Sequence, residues 1–251
     1  MFKRFLKKIL FKFGYKVSKI ESKETLNIVG VDEKIKDIIL KSSNFSMTGK
    51  IRMFVLSEAI KNIKNNSIIG DFVECGVWRG GNLILMNELN RHYNLKKKIF
   101  GYDTFDGMSE PTDFDMDPYN VLAKKRLEDS KKTNLEENVH CYSSIEEVKK
   151  NISSNSSMKN IILIQGMVEN TLLNKDNIPD QISLLRLDTD FYESTKIELE
   201  ILFPKLVPGG ILILDDYGYW SGARKAIDEY FKNTKYWLHY VDPSCRYLIK
   251  E

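Results

Sequence analysis

Asp71-Phe72-Val73-Glu74-Cys75-Gly76-Val77-Trp78-Arg79-Gly80-Gly81-Asn82 is the stretch whose reading decides the fold. An apolar run of strand length stops at a glycine, turns through Gly80 and Gly81, and enters a helical pattern over Asn82–Tyr93. Glycines let backbone approach a ligand without a Cβ in the way. Free N–H groups of such a turn, together with a helix start, favour a carboxylate or a phosphate. The spacing is GxxxGG, which is neither the GxGxxG of dinucleotide sites nor a P-loop with its lysine. Taken alone, the turn is equally well a tight corner.

Outward from it, short apolar runs alternate with helical patterns. The strand candidates are Gly70–Cys75, Lys98–Tyr102, Asn160–Gln165, Ile182–Leu187 and Ile211–Leu214. Helix candidates are Asn82–Tyr93, Ile145–Ile152, Glu193–Leu206 and Ser221–Lys232. Runs such as Ile161-Ile162-Leu163-Ile164 lack polar alternation, as strands covered on both faces do. The alternation predicts an α/β fold, a Rossmann-like, mostly parallel sheet with helices on both faces. Tyr236–Val241 and Cys245–Lys250 read as a closing pair of strands, and the text from Asn27 to Asn65 reads as helical. At 251 residues with 42% hydrophobic and 29% charged side chains, the chain can bury one ordinary core. We divide it into a basic lead-in, residues 1–40, and an α/β domain, residues 41–251. Three scattered cysteines and three histidines argue against a disulfide framework and against a Cys- or His-rich metal site. No apolar run reaches the ~20 residues needed to span a bilayer.

In this fold, ligands sit at the carboxyl ends of the strands, and the acids cluster there. Asp103 ends the second strand, where a carboxylate can accept both hydroxyls of a ribose; the plainer alternative is a strand-end cap. Leu187-Asp188-Thr189-Asp190 and Leu214-Asp215-Asp216-Tyr217 end two later strands with two acids each. Four carboxylates at one edge repel unless a cation or a proton compensates them. Oxygen-only donors favour a hard cation such as Mg²⁺. Helix capping can account for one of the pairs but hardly for both.

Residues 1–19 hold seven Lys/Arg and no acid, leaving the rest of the chain at a net charge of −4. That mildly acidic body argues against nucleic-acid binding. Phe2, Phe5, Leu6, Ile9, Leu10 and Phe13 recur at helical steps with lysines between them. Such a helix either packs its phenylalanines on the domain or lies on an anionic membrane surface. The segment Asp103–Asp117 is rich in acids and free of Lys and Arg; it reads as a loop over a pocket or as a solvated face.

Together these stretches resemble the macrocin O-methyltransferase family, S-adenosylmethionine-dependent enzymes that methylate sugar hydroxyls in natural-product biosynthesis. The resemblance runs from about Asn44 to Phe231. It rests on Phe45-Ser46-Met47-Thr48, the Asp71–Gly81 stretch, Tyr102-Asp103-Thr104-Phe105-Asp106-Gly107-Met108, Leu187-Asp188-Thr189-Asp190-Phe191-Tyr192-Glu193-Ser194-Thr195, and Pro208-Gly209-Gly210 with Asp215-Asp216-Tyr217. It implies the class I methyltransferase sheet, seven strands with the last antiparallel. It implies that Glu74, Gly76, Gly80, Gly81 and Asn82 form the cofactor turn, that Asp103 binds the ribose, and that Gly166 lies near the adenine. Met47 and Thr48 correspond to a lid segment, Asp188, Asp215 and Asp216 to magnesium ligands, and Asp190 to a general base. Thr189, where the family often has Gly, and Met167-Val168, where it often has Trp-Phe, depart from the pattern and bear on pocket shape.

The expected reaction is methyl transfer from S-adenosylmethionine to a sugar hydroxyl within a vicinal diol chelated by Mg²⁺. One rival is a catechol or other phenolic diol as acceptor, kept alive by Tyr217, Tyr219 and Trp220 after the metal motif. Another is a non-catalytic adenosyl-cofactor sensor or scaffold. A cytoplasmic homo-oligomer completes the expectation, placed at the inner face of the membrane if residues 1–19 lie on lipid and not on the domain.

Overall fold

The structure is a computed structural model that describes residues 28–130 and 140–251, so the basic stretch 1–19 lies outside the described residues. Asp32 accepts the Lys34 N–H and starts α1 (Glu33–Ser43). After residues 44–49 the chain resumes as α2 (Lys50–Asn65). The helical text from Asn27 to Asn65 is thus two helices, not one. Ser42, Ser43 and Asn44 are weak helix formers, and the Phe45 carbonyl turns away to accept the Gly81 N–H.

From there strands and helices alternate: β1 (Asp71–Cys75), α3 (Gly81–His92), β2 (Ile99–Asp103), α4 (Ala123–Ser130), α5 (Ile145–Asn155), β3 (Ile161–Gln165), α6 (Val168–Thr171), β4 (Ile182–Leu187), α7 (Tyr192–Leu202), β5 (Leu206–Leu214), α8 (Ser221–Phe231), β6 (His239–Tyr240) and β7 (Arg246–Ile249). The sheet order is β3-β2-β1-β4-β5-β7-β6; β1 to β5 are parallel, and β7 runs antiparallel to both β5 and β6. This is the expected class I methyltransferase sheet, with helices on both faces. The strand order reverses between β1 and β4, and that is where such sheets open a ligand crevice.

Asp32–Glu251 pack as one unit, so α1 belongs to the domain. Its core is built from apolar residues of β1, β4, β5 and α7, among them Val73, Leu185, Leu199 and Leu212, all fully buried. Every residue of β4 is buried, including Arg186. From β1 onward, two boundaries differ most from the sequence reading. The helix expected to reach Leu206 stops at Leu202, because Pro204 turns the chain into a short 3₁₀ segment, Phe203–Lys205. β5 starts at Leu206 instead of Ile211. There β7 extends the pairing past Gly209 and Gly210 through Lys250, whose ammonium also bonds the Leu206 carbonyl.

The acidic segment is neither a free loop nor a solvated face throughout. Asp115 and Asp117 are buried at 0% and 3% exposure. Asp115 accepts the Tyr192 N–H at the start of α7 and both donors of Thr112. Asp117 accepts the Tyr119 and Val121 N–H groups and pairs with Arg126. Among the described residues no helix is long and apolar enough to cross a membrane.

Candidate active site

The carboxyl ends of β1, β2, β4 and β5 line a cavity of about 660 Å³, within the usual range for a cofactor or ligand pocket. Met47, Thr48, Gly76, Asp103, Gly166, Asp188, Asp190, Asp215 and Asp216, all expected from sequence, line it. Glu74, Gly80, Gly81 and Asn82 stand behind that wall. The cavity also takes in Arg52, Cys141 and Ser244, which residue patterns give no reason to join, together with Trp78 and Met108 from the stretches that carry the resemblance and Tyr219 and Trp220, named above for the acceptor side.

The glycine turn is spent on the protein's own contacts. Gly76 sits at φ +85°, and a Cβ there would meet the Asp188 carbonyl oxygen at 2.0 Å, so glycine lets the end of β1 lie against the end of β4. A Cβ at Gly81 would collide with Phe45 and Ser46. The Gly76 N–H goes to Tyr102, those of Val77 and Trp78 to Asp103 Oδ2 at 2.7 and 2.9 Å, that of Gly80 to Val77, and that of Gly81 to Phe45. The expectation of free N–H groups for an anion is therefore not met at these five positions. Asp103, placed from sequence as a ribose acceptor, also holds the turn in shape, and its Oδ1 accepts the Phe105 N–H at 2.7 Å.

The floor of the cavity is an ion network. Arg186, 1% exposed, donates through Nη1 to Glu74 Oε1 at 2.8 Å and Asp188 Oδ2 at 2.7 Å. Through Nη2 it donates to Thr48 Oγ1 at 3.0 Å and Asp215 Oδ1 at 2.6 Å. Asn82 closes the ring, donating to both Glu74 Oε1 and Thr48 Oγ1 at 3.0 Å. Arg52 reaches in from the first turn of α2 and pairs with Asp215 Oδ2, and with Asp242 Oδ2 at 2.6 Å. The floor thus carries five carboxyls, Glu74, Asp188, Asp190, Asp215 and Asp216, against two guanidinium groups.

Burial first, and the crowding of like charge after it, sets the titration of these carboxyls. Burial pushes the Glu74 carboxyl up to about 7 against the pull of Arg186 and Asn82. Burial also raises Asp190 to about 7, with hydrogen bonds from Asp216 and Trp220 opposing the shift. Asp216 is raised by burial and by the neighbouring Asp190 charge, and Asp188 by burial in spite of Arg186. Arg186 stays charged, since its three acidic partners outweigh the cost of burying it. Asp190 holds a left-handed backbone, φ +70°, which few non-glycine residues adopt and which costs about 1–3 kcal/mol.

Asp188, Asp215 and Asp216 can each offer an oxygen within 4.8 Å of the other two. Asp216 Oδ2 is buried without a hydrogen-bond partner. A three-oxygen donor set with an orphaned buried oxygen fits a small hard cation.

The chain matches the family described as Macrocin-O-methyltransferase (TylF) over residues 5–249, nearly its whole length. The chain belongs to this family. The match reaches back well before Asn44, into the amino-terminal stretch whose resemblance the residues alone did not reveal. Among this O-methyltransferase's relatives, the 8-demethyl-8-(2,3-dimethoxy-alpha-L-rhamnosyl)-tetracenomycin-C 4'-O-methyltransferase of Streptomyces olivaceus is 31% identical over 187 residues, 74% of this chain and 67% of that protein. The mycinamicin III 3''-O-methyltransferase of Micromonospora griseorubida is 28% identical over 74% of this chain and 69% of its own. The solved structure of the O-methyltransferase NovP superposes with a TM-score of 0.70 at 27% identity, covering 82% of each chain. The cavity lies at the switch point of the sheet, where open α/β folds bind their ligands.

Proposed function

We propose that the protein transfers a methyl group from S-adenosylmethionine to a hydroxyl of a sugar bearing a vicinal diol, with Mg²⁺ held by Asp188, Asp215 and Asp216. The observation that carries this reading is the three-carboxylate floor beside the glycine turn, one cavity serving donor and acceptor. The name of one relative describes a rhamnosyl acceptor, which supports a sugar but not by itself the vicinal diol, since its 2- and 3-positions are methoxy. A bound Mg²⁺ supplies Lewis acidity, lowering the pKa of a chelated hydroxyl that no protein base could otherwise deprotonate.

The chain's own groups do the rest. Asp190 Oδ accepts the hydroxyl proton as the oxygen attacks the methyl carbon and the carbon–sulfur bond breaks; a base of this kind contributes about 10²–10⁴-fold. Asp103 orients the ribose while it holds the turn, Thr48 and Met47 cover the donor, and Gly166 leaves room for the adenine. Trp220, packed edge-on against Phe191, and Tyr219 wall the acceptor side. Because those two rings line the cavity, a phenolic diol is the second reading; Tyr217 turns away from the cavity to bond Asp228. Turnover of S-adenosylmethionine against a panel of sugars and catechols separates the two. Turnover confined to catechols would reject the sugar reading.

Residues 1–19 are proposed to hold the enzyme against anionic lipid, each basic residue contributing about 1 kcal/mol near such a surface. The intact chain should bind anionic vesicles and not zwitterionic ones, less tightly as salt rises. Equal partitioning to both, or to neither, would reject membrane contact.

A further inference from the structure

Arg186 stands at an unusual crossing. Its guanidinium is buried in a strand whose other five residues are Ile, Ser and Leu, and its four acceptors come from four places in the chain. Thr48 is in the segment between α1 and α2, Glu74 in β1, Asp188 just beyond β4, and Asp215 just beyond β5. Two of these acceptors, Asp188 and Asp215, belong to the three-carboxylate site. The other two, Glu74 and Thr48, are tied to each other through Asn82 at the start of α3, on the methyl-donor side. Thr48 lines the cavity, and its segment packs on α3 through the Phe45 carbonyl and the Gly81 N–H. A planar guanidinium can serve all four at once, because its N–H groups leave in fixed, diverging directions.

The sharing has a consequence. One positive charge is divided among three carboxylates, and hydrogen bonds to charged partners compete for it. When a divalent cation takes up the charge of Asp188 and Asp215, Arg186 is released to bond Glu74 and Thr48 more strongly. The contacts that hold the 44–49 segment against the donor side of the cavity are then strengthened. We propose that Arg186 is the positioning residue through which occupation of the three-carboxylate site tightens the donor side of the same pocket. The inference rests on the proposed Mg²⁺ reading. Linkage makes it reciprocal: a bound donor must tighten the cation site by the same factor.

The test is calorimetric, on the full chain, with S-adenosylhomocysteine as the stable probe, titrated with and without Mg²⁺. In the wild type Mg²⁺ should tighten the probe by about five-fold or more, the lower range of allosteric couplings. Thr48→Val removes the acceptor shared by Arg186 and Asn82 and should bring that ratio close to one, while Thr48→Ser keeps the hydroxyl and should retain it. Arg186→Lys keeps the charge without the fork and should also lose the coupling. If Arg186→Lys does not fold, the two Thr48 variants still decide. A purely structural arginine would shift melting temperature or both affinities together, leaving the ratio as in the wild type. Equal ratios in the wild type and Thr48→Val, with Mg²⁺ binding intact, would overturn the coupling alone. No Mg²⁺ retained by the wild type in equilibrium dialysis would overturn the cation reading and the coupling with it.

Discussion

Two acidic clusters stand in this chain, and they have opposite fates. In the Asp103–Asp117 segment, the buried carboxylates are satisfied mainly by backbone. Asp115 takes the Tyr192 N–H, and Asp117 takes those of Tyr119 and Val121. These acids fasten a loop to the start of α7, and Arg126 is the only cation they enlist among the described residues. At the ends of β4 and β5, Asp188 and Asp215 lean on Arg186 and Arg52, and Asp216 leaves a buried oxygen without a partner. The difference is what separates structure from chemistry. Carboxylates satisfied by neutral donors hold the fold, and carboxylates crowded beyond their counter-charge invite a cation and a proton.

Substitutions at the two clusters should therefore separate activity from stability. The largest effect is expected at the β5 end. Asp216→Asn should abolish turnover while S-adenosylmethionine affinity, read by calorimetry in the absence of Mg²⁺, changes little. Asp190→Asn should lower kcat by about 10²–10⁴-fold with Mg²⁺ affinity kept, since it removes the base and not a ligand. A variant of either residue with wild-type turnover would put the chemistry elsewhere.

Asp103→Ala lies between the two regimes. It removes the acceptor of the Val77 and Trp78 N–H groups and the proposed ribose contact together, so cofactor affinity should fall by about 1.5–3 kcal/mol and melting temperature should fall too. Unchanged affinity with lowered stability would make Asp103 a turn-holder only. Asp115→Ala should act on stability alone, costing about 1–3 kcal/mol because α7 loses its cap from outside the helix. A matching loss in kcat of the folded variant would blur the contrast.

The smallest effect is one of pH. Burial pushes the Asp117 carboxyl up, but the Val121 and Tyr119 N–H groups and Arg126 more than reverse this and hold it below its ordinary value. Its contribution to stability is then complete above the usual aspartate range, and is lost as pH falls through the lowered folded value. The melting-temperature gap between the wild type and Asp117→Asn should shrink below about pH 4. A gap that widens on acidification would contradict the sign.

The central sheet was legible because its strands are mostly apolar runs and acids follow several of their ends. Gly76 and Gly81 were legible as a turn, but the partners of that turn were not. The Phe45 carbonyl and the Asp103 carboxylate come from distant segments, and nothing local marks the N–H groups as already taken. Arg52 was hidden for the same reason, lying 163 residues from Asp215. Arg186 was in plain view within Leu184-Leu185-Arg186-Leu187. A charge inside a run that packs on both faces has to find buried acids, and that is the signal that could have found the network. Asp115 and Asp117 read as surface charges, since sequence does not tell which donors will fold back onto a carboxylate.

The account turns on the claim that the acids at the ends of β4 and β5 work with a divalent cation on a vicinal diol. The most direct measurement is turnover of S-adenosylmethionine with a vicinal-diol sugar acceptor, after exhaustive chelation and again on return of Mg²⁺. The account predicts that chelation abolishes turnover, that Mg²⁺ restores it in the wild type, and that Mg²⁺ does not restore it in Asp216→Asn. Full turnover by the chelated enzyme would contradict it.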